Sequence, residues 1–286
     1  MNRSTGAAIA RETLAILESG RYRPPGGGEV DLSGDLARAV SRTRLYGPRD
    51  LPGDPSPPEG VDRPGTAVEV TGETTLEAAR RLAESLGVEP LCLNFASARN
   101  PGGGFLNGAR AQEESLARSS GLYACIAPVE GFYGPHRAGR SLLYSDRLIV
   151  SPGVPVFRDD GGTLLDRPHH VGFLTAAAAN AGAMARNQPD ELPRIPAVMR
   201  RRIALVCWAA HREGYDHLVL GAWGCGAFRN DPALIARLFA EQLGPGGPWS
   251  GVFRRIAFAV YDPGRERPCF TAFERAIGGQ SPAILP

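Results

Sequence analysis

The stretch NFASARNPGGGFLNGARAQEE, residues 94–114, is the most informative part of the sequence. An apolar run at residues 90–95 leads into it and predicts a buried strand. Three consecutive glycines follow at 102–104, and a chain keeps glycine where the backbone needs a positive φ or must approach another group closely. The adjacent carboxylates Glu113 and Glu114 then open an apolar, helix-like segment, where the helix dipole favours negative charge. The stretch therefore predicts a strand, a ligand-contacting loop and a helix with an acidic first turn.

A second glycine-rich segment, GAWGCGAF at residues 221–228, follows the apolar run 217–220. Asp231 is a favourable N-cap and Pro232 a favourable first helical residue, so this segment joins a strand end to a helix N-terminus. Outward-facing backbone N–H groups and the helix dipole at such a junction suit a diphosphate. A tight strand–helix turn without a ligand is the alternative. Together with the glycines at 102–104, ligand binding across both loops is the better prediction.

Length and composition predict one large α/β domain, although 286 residues would also allow two small ones. The net charge of +2 is too small to indicate direct nucleic-acid binding. No apolar run approaches the roughly 18 residues of a membrane helix. The N-terminus lacks the apolar core of a secretory signal, so we expect a cytoplasmic protein that contacts no membrane. The spacing of the five cysteines and five histidines supports neither a disulfide framework nor a metal site.

Strand and helix patterns alternate along the chain, which predicts a mostly parallel or mixed sheet covered on both faces by helices. The predicted helices lie at residues 7–18, 74–86, 115–126, 198–212, 232–243 and 269–277. The predicted strands lie at residues 67–70, 90–95, 147–150, 154–157, 171–174, 217–220 and 255–261. Residues 22–65 are rich in proline, glycine and charge. We therefore expect residues 1–65 to form an N-terminal helical and loop extension packed on the core.

Two local features of these elements are also predicted. Thr75 is a suitable cap for the helix at 74–86, and Leu86 is expected to face inward from its last turn. The adjacent His169 and His170 are expected to lie in a loop and to have a structural role.

The first stretch resembles the signature of the poly(ADP-ribose) glycohydrolases, a triple glycine followed shortly by Gln-Glu-Glu. The matching residues here are Gly102, Gly103, Gly104, Gln112, Glu113 and Glu114. Residues 8–22, 151–157 and 221–228 also look like the compact bacterial branch of that family, and the resemblance covers about residues 5–277. It implies a macrodomain-like fold, a mixed sheet sandwiched between helices, in a single domain over residues 1–286.

The resemblance also implies roles for individual residues. Glu114 would be the general acid/base, while Glu113 would bind ribose hydroxyls and place the scissile bond. The other residues implied to contact or support the substrate are Ser97, Gly102, Gly103, Gly104, Gln112, Gly224, Cys225, Gly226, Ala227 and Phe228. Within this set Gln112 would support the loop, and Phe228 would pack beside the distal ribose.

The implied chemistry is cleavage of a ribose–ribose O-glycosidic bond, which passes through an oxocarbenium-like state and needs a proton on the leaving oxygen. A carboxylic acid whose pKa is raised by burial can give that proton, and its carboxylate can then activate water. Adjacent helical residues point about 100° apart. Glu113 and Glu114 are therefore not expected to act as the facing pair of an ordinary glycosidase. One should be the acid/base and the other should hold a ribose hydroxyl.

The implied function is hydrolysis of poly(ADP-ribose), on its own or on poly(ADP-ribosyl)ated proteins, with release of ADP-ribose and without a cofactor. Two alternatives stay open. One is a macrodomain that binds ADP-ribose without cleaving it, although such a module has no need of the acid that Glu113 and Glu114 provide. The other is a hydrolase of mono-ADP-ribose on protein or nucleic acid. Turnover of defined chains against mono-modified substrates would distinguish these functions.

Overall fold

The computed structural model describes residues 2–59 and 65–278. Its helices are α1 (Arg3–Ser19), α2 (Ser33–Arg42), α3 (Thr75–Leu86), α4 (Gln112–Ser119), α5 (Leu122–Ile126), α6 (Glu130–Ala138), α7 (Ala181–Asn187), α8 (Ile195–Arg212), α9 (Pro232–Leu243) and α10 (Pro268–Ile277), with 3₁₀ turns at Phe105–Asn107 and Pro189–Arg194. Its strands are β1 (Arg21–Tyr22), β2 (Val30–Asp31), β3 (Arg44–Tyr46), β4 (Ala67–Thr71), β5 (Leu91–Phe95), β6 (Leu148–Arg158), β7 (Leu164–Ala176), β8 (His217–Leu220) and β9 (Arg255–Ala259). Part of the predicted N-terminal extension, residues 60–64, and both predicted domain limits, residues 1 and 286, lie outside the described residues. No described helix combines the length and the apolarity that a membrane crossing needs.

The chain divides into two compact units. The first unit comprises Met1–Gly47, Ala79–Gly139 and Arg147–Ala176, and the second unit comprises Pro48–Ala78, Arg140–Asp146 and Ala177–Pro286.

The strands of the first unit follow the order β3–β6–β7–β5. β3 and β7 both pair with β6 antiparallel, whereas β5 pairs with β7 in parallel. The side chains of β5 are buried along almost its whole length, from Leu91 to Asn94. This burial explains why its sequence is continuously apolar rather than alternating. The carboxyl end of β5 leads directly into the triple-glycine loop.

The strands of the second unit follow the order β8–β9–β4, and both pairings are parallel. Their carboxyl ends therefore lie at one edge of this group of strands, and β8 leads from that edge into the second glycine-rich loop. β9 ends at Ala259, two residues before the predicted end, and Tyr261 is 63% exposed. Parallel and antiparallel pairs both occur in the protein, which confirms the predicted mixed α/β class.

Within the expected N-terminal extension, residues 33–42 form α2, a helix that was not among the predicted ones. The buried residues of α2 are Leu36 and Ala39, three positions apart on one face. Asp35 in its first turn and Arg42 in its last turn both complement the helix dipole. An apolar stripe of two residues is too short for periodicity to distinguish from a loop.

The predicted helix at 115–126 is interrupted between α4 and α5. Ser120 is extended and forms a bridge with Val156 of β6, and the Gly121 N–H donates to the carbonyl of Pro155 at 2.9 Å. The Ser120 hydroxyl also donates to the carbonyl of Leu116. The backbone at this point therefore pairs with a strand instead of continuing the helix. This pairing depends on a distant part of the chain, so the local sequence could not predict it.

β6 is one strand where two were predicted. Its ladder with β7 shifts register between Ser151 and Val154, and Gly153 inside the shift has a φ of 64°. Such a bulge bends a strand without ending it. Pro155 lies beside the bulge, where a strand tolerates proline.

The prediction that His169 and His170 lie in a loop was wrong, since both belong to β7 and pair with β6. The preceding Pro168 was the reason for expecting a loop. Here it falls where the register shifts again, between Val156 and Arg158. A bulge is one of the few places where a strand tolerates proline.

The cap of α3 is Thr74 rather than the predicted Thr75. The Glu77 N–H donates to Thr74 Oγ1 at 3.1 Å, and the Thr74 N–H donates to the Glu77 carboxylate at 2.8 Å. This reciprocal pair is a capping box. Leu86 is also not inward as predicted, because it is 40% exposed while Leu82 is fully buried.

Helix α1 packs on the helix that carries the two glutamates. Ala10 of α1 forms a buried cluster with Phe105 and Ala117. The buried Thr13 hydroxyl donates to the carbonyl of Arg118 at 2.6 Å. Arg118 is in the last turn of α4, where carbonyls have no partner within the helix. The Thr13 side chain, which belongs to α1, therefore supplies a hydrogen bond to a carbonyl at the end of α4 that has no partner within the helix.

Replacing Thr13 with valine is expected to lower the free energy of unfolding by roughly 1–3 kcal/mol, because the Arg118 carbonyl stays buried without its donor. Thr13→Ser, which keeps the hydroxyl, is the matched control and should lose less. Urea unfolding of the three proteins measures the difference. Valine keeps the methyl group of threonine and serine keeps its hydroxyl, so a serine variant less stable than the valine variant would show that the methyl group, not the hydrogen bond, stabilises this contact.

Candidate active site

The triple-glycine loop holds its backbone against both glutamates. Gly102 and Gly103 have φ values of 67° and 59°, the left-handed region that favours glycine. A Cβ on Gly103 would overlap Oε1 of Glu114 and would lie 3.0 Å from Oε2 of Glu113. A Cβ on Gly102 would lie 2.8 Å from the ring of Phe105. The glycines are therefore required by both conformation and close approach.

Glu113 is 3% exposed, and its carboxylate accepts backbone hydrogen bonds from the loop. The Ser97 N–H donates to Oε2 at 2.7 Å, and the Gly102 N–H and the Asn94 side chain also donate to the carboxylate. Burial is the main cause that raises the pKa of Glu113 to about 8. The negative charge of Glu114 contributes to this rise, while these hydrogen bonds oppose it. Near neutral pH the Glu113 carboxyl therefore holds a proton.

Glu114 is 9% exposed, and its carboxylate lies beside the same loop residue, Gly103. The Gly104 N–H donates to Oε1 of Glu114 at 2.9 Å, which fixes the carboxylate. Oε2 is buried and accepts no hydrogen bond from any described residue. When one carboxylate oxygen accepts a hydrogen bond and the other has no hydrogen-bond partner, the second oxygen can exchange a proton with a bound molecule.

Gln112 joins the start of α4 to the end of β5. Its side-chain oxygen accepts from the Phe95 N–H at 2.9 Å, and its side-chain nitrogen donates to the Leu93 carbonyl at 2.8 Å. Both ends of the amide are thus bound to the backbone of the strand. This arrangement holds the first turn of α4, and with it Glu113 and Glu114, in a fixed position relative to β5.

Three residues near the glutamates were not predicted from sequence. Asn94 is fully buried within β5 and donates to Thr175 at 3.1 Å as well as to Glu113. Arg118 is buried on α4 and interacts electrostatically with Glu114. Tyr133 is buried on α6, and the charge of Glu113 adds to burial in raising the pKa of its phenol.

Sequence signals existed for two of these three residues. Asn94 is the polar residue inside the apolar run, directly before the loop, and Arg118 is four positions after Glu114, the spacing of a helical ion pair. Tyr133 reaches Glu113 from a distant helix, so no local pattern could have identified it.

The second glycine-rich loop is built at the end of β8. Gly224 has a φ of 76°, and the buried Asn230 side chain donates to its carbonyl at 3.1 Å and to the Ala179 carbonyl at 2.8 Å. The Asp231 carboxylate accepts from the Ala233 N–H, which confirms it as the N-cap of α9. Asn230 thus closes the loop and was not predicted.

The outer part of this loop is accessible. Gly226 and Ala227 are exposed, and a Cβ on Gly226 would meet nothing within 4 Å. Phe228 is half-buried, and its ring lies 6.0 Å from that of Tyr144. Cys225, also half-buried, lies between the two loop glycines.

The predicted site residues form one group in each unit. Ser97, the three glycines, Gln112 and both glutamates come together at the end of β5 in the first unit. Gly224, Cys225, Gly226, Ala227 and Phe228 come together at the end of β8 in the second unit. Among the residues that the structure describes, no group of His, Cys, Asp and Glu side chains could hold a metal ion.

The raised pKa of Glu113 predicts a pH-dependent stability. The pKa of this carboxyl has its ordinary value of 4.5 in the unfolded chain and is about 8 in the folded protein. Between these values the folded state binds more protons than the unfolded state, so the free energy of unfolding falls as pH rises. The contribution of the protonated group is fully present below pH 4.5 and is lost as pH rises through about 8.

Glutamine at position 113 does not titrate, so Glu113→Gln is expected to gain stability relative to wild type as pH rises. Urea unfolding of both proteins at about pH 5 and about pH 8.5 measures this difference. All other titrating groups are common to the two proteins and largely cancel in the comparison. Parallel pH dependences of wild type and variant would contradict the assignment of this proton to Glu113.

Comparison with known proteins identifies the family. Residues 10–159 match the family model for the catalytic domain of microbial-type poly(ADP-ribose) glycohydrolase (PARG). Among curated proteins, none matches the chain.

Solved structures of two organisms are similar over most of the chain. PARG of Thermomonospora curvata, bound to the inhibitor ADP-HPD, is 51% identical over 96% of this chain and 99% of its own, with a TM-score of 0.86. PARG of Deinococcus radiodurans, in complex with ADP-ribose, is 45% identical over 87% of this chain and 99% of its own, with a TM-score of 0.79. These similarities confirm the predicted macrodomain-like class. The chain belongs to the microbial-type poly(ADP-ribose) glycohydrolase family.

Proposed function

We propose that this protein hydrolyses the ribose–ribose O-glycosidic bonds of poly(ADP-ribose) and releases ADP-ribose. The observation that carries this function is the pair of buried, adjacent carboxylates bound by N–H groups of the loop that contains the triple glycine. This stretch lies inside the region that matches the PARG catalytic domain. The solved relatives were captured with ADP-ribose or with an inhibitor.

In the proposed reaction Glu114 is the general acid/base. Its carboxyl gives a proton to the oxygen of the leaving ribose as the glycosidic C–O bond breaks. Its carboxylate then takes a proton from the water that attacks the oxocarbenium-like carbon, so the acid is restored. One water is consumed and one ADP-ribose is released in each cycle. The unengaged Oε2 is the atom from which this proton is transferred.

The raised pKa belongs to Glu113, whereas the proposed donor is Glu114. The two carboxyls interact through their charges. Ribose hydroxyls that donate to Glu113 stabilise its ionised form. Substrate binding would therefore favour release of the Glu113 proton beside Glu114. Glu113 is thus proposed both to bind ribose and to supply the proton that Glu114 transfers.

The remaining site residues are proposed to bind or support ADP-ribose within their own units. The backbone of Ser97 and of the triple glycine would follow the ribose and the diphosphate, while Gln112 supports α4. In the second unit, residues 224–227 would offer N–H groups to the diphosphate, and Phe228 would pack beside the distal ribose. Poly(ADP-ribosyl)ated proteins would be the macromolecular substrates. A cytoplasmic location is part of the proposal and is tested by imaging a tagged protein.

Release of free ADP-ribose from purified poly(ADP-ribose) tests this function. Wild-type protein is expected to release ADP-ribose from chains and to act poorly on a protein that carries single ADP-ribose units. Binding of ADP-ribose without release would instead indicate a binding module. Faster turnover of the mono-modified protein than of chains would indicate a mono-ADP-ribosyl hydrolase. Chromatography of the products separates these outcomes, and internal oligomers among them would exclude cleavage from chain ends alone.

A further inference from the structure

The buried Arg118 side chain contacts the loop that precedes its own helix. Arg118 lies in the last turn of α4 and is 4% exposed. Its Nη1 donates a hydrogen bond to the carbonyl of Ala109. Ala109 belongs to the short segment between the 3₁₀ turn at 105–107 and the start of α4. The guanidinium therefore holds this segment from the far end of the helix.

Two further hydrogen bonds connect Ala109 to Glu114. The Ala109 N–H donates to the carbonyl of Gly104 at 3.1 Å, and the Gly104 N–H donates to Oε1 of Glu114 at 2.9 Å. Glu114 and Arg118 both belong to α4, so the three hydrogen bonds form a ring that begins and ends on this helix. The position of Oε1 thus depends on the same segment that Arg118 holds.

Gly104 lies closely between Ala109 and Glu114. A Cβ on Gly104 would lie 3.0 Å from the Cβ of Ala109 and 3.8 Å from Oε1 of Glu114. A shift of Ala109 would therefore move the N–H group that Glu114 accepts. The other oxygen of Glu114, Oε2, is buried and accepts no hydrogen bond from any described residue. The hydrogen bond to Oε1 is thus the contact that orients Oε2.

The positive charge of Arg118 suits this supporting role. Burial of a guanidinium is costly unless hydrogen bonds compensate, whereas a neutral side chain of similar length would fill the same space. A charged donor also forms a stronger hydrogen bond than a neutral donor. Arginine therefore holds the Ala109 carbonyl more firmly than a neutral side chain could.

We propose that Arg118 is a positioning residue for Glu114. It holds Ala109 and thereby fixes the Gly104 N–H, which orients the Glu114 carboxyl so that Oε2 faces the glycosidic oxygen of the bound chain. Arg118 acts through the backbone and not on the substrate, so its loss should slow the chemical step without weakening binding. This inference rests on the proposed function, in which Oε2 transfers the proton.

Arg118→Met tests the proposal, because it removes the donor and the charge but keeps an unbranched side chain. We expect the single-turnover rate of ADP-ribose release from poly(ADP-ribose) to fall by roughly 10–100-fold, the cost of a misplaced catalytic group. The affinity for ADP-ribose, measured by calorimetry, should change less than about threefold. Arg118→Lys keeps the charge and one donor but not the planar fork, so it should recover part of the rate.

Arg158→Met is the matched control. Arg158 is 2% exposed and also donates to a backbone carbonyl, that of Gly162 at 2.6 Å, but this carbonyl lies in the turn between β6 and β7. The control should lose stability in urea unfolding and keep the wild-type rate. Amide hydrogen exchange, followed by NMR, gives a readout that does not depend on turnover. The Gly104 N–H should exchange faster in Arg118→Met than in wild type or in Arg158→Met.

Four results would overturn the proposal. The first is a wild-type rate in Arg118→Met, or in Arg118→Lys if the methionine variant does not fold. The second is an equal loss of rate in Arg118→Met and Arg158→Met, which would indicate general destabilisation. The third is an equal loss of rate and affinity in Arg118→Met, and the fourth is unchanged exchange at Gly104. If wild type releases no ADP-ribose, the proposed function fails, whereas the support of Gly104 by Arg118 is still judged by hydrogen exchange.

Discussion

Glu114→Gln is expected to lower the rate of ADP-ribose release from poly(ADP-ribose) by roughly 10²–10⁴-fold, the usual contribution of general acid–base catalysis. Glutamine keeps the shape of the side chain, and its oxygen can still accept from the Gly104 N–H that holds Oε1 at 2.9 Å. Its other terminal atom becomes an amide nitrogen, which can neither give a carboxylic proton nor take one from water. Single-turnover kinetics with excess enzyme measure the chemical step directly.

Binding separates a catalytic defect from a folding defect in this variant. Glu114→Gln should bind ADP-ribose with nearly wild-type affinity, because the proposed ribose contact belongs to Glu113. Glu113→Gln is the matched control and should lose affinity as well as rate, since it removes the carboxyl that Ser97 positions at 2.7 Å. Full activity of Glu114→Gln would exclude Glu114 as the acid/base. Equal loss of affinity in both variants would remove the proposed division of roles.

Gly103→Ala is expected to reduce activity by about 100-fold or more, because it displaces both carboxyls at once. The added Cβ would overlap Oε1 of Glu114 and would lie 3.0 Å from Oε2 of Glu113. Neither carboxyl can move away from this Cβ without breaking the hydrogen bond that it accepts from a backbone N–H group of the loop. The positive φ of 59° adds a conformational cost of roughly 1–2 kcal/mol.

Gly28→Ala isolates the conformational part of this effect. Gly28 also has a positive φ, 78°, but a Cβ there would meet nothing within 4 Å. Both variants should therefore lose similar stability from the backbone, while only Gly103→Ala loses activity. Thermal unfolding and initial rates, measured on the same preparations, make the comparison. Loss of activity in proportion to loss of stability in both variants would contradict a specific collision at Gly103.

The elements with explicit end signals were predictable from sequence. β8 and α9 lie at the predicted residues, because Asp231 and Pro232 mark the start of the helix and the strand is a short buried run. The continuation from α4 into α5 was predicted wrongly because Gly121 bonds to the distant β6. α2 was missed because its buried face is short. Local signals fail where a tertiary partner decides the backbone.

The same distinction applies to the candidate site. The triple glycine and the glutamates were predictable because they are close in sequence and their residue types carry the chemistry. The groups that surround or hold them come from elsewhere in the sequence, as Tyr133 near Glu113 does, or act through a single side chain, as Asn230 does on Gly224. These contacts depend on how the chain folds, so the residue types alone do not predict them.

The amide of Gln112 has a consequence for the order in which the chain assembles. Its bonds to β5 span 17 and 19 residues, whereas the bond from Thr13 to Arg118 spans 105. Closing the shorter loop costs roughly 1.6 kcal/mol less chain entropy, from the logarithmic dependence on loop length. The strand, the glycine loop and the glutamates can therefore associate as a local unit, with the N-terminal helix docking afterwards on a surface already formed. During synthesis α1 emerges before α4 and must wait until its binding surface has formed.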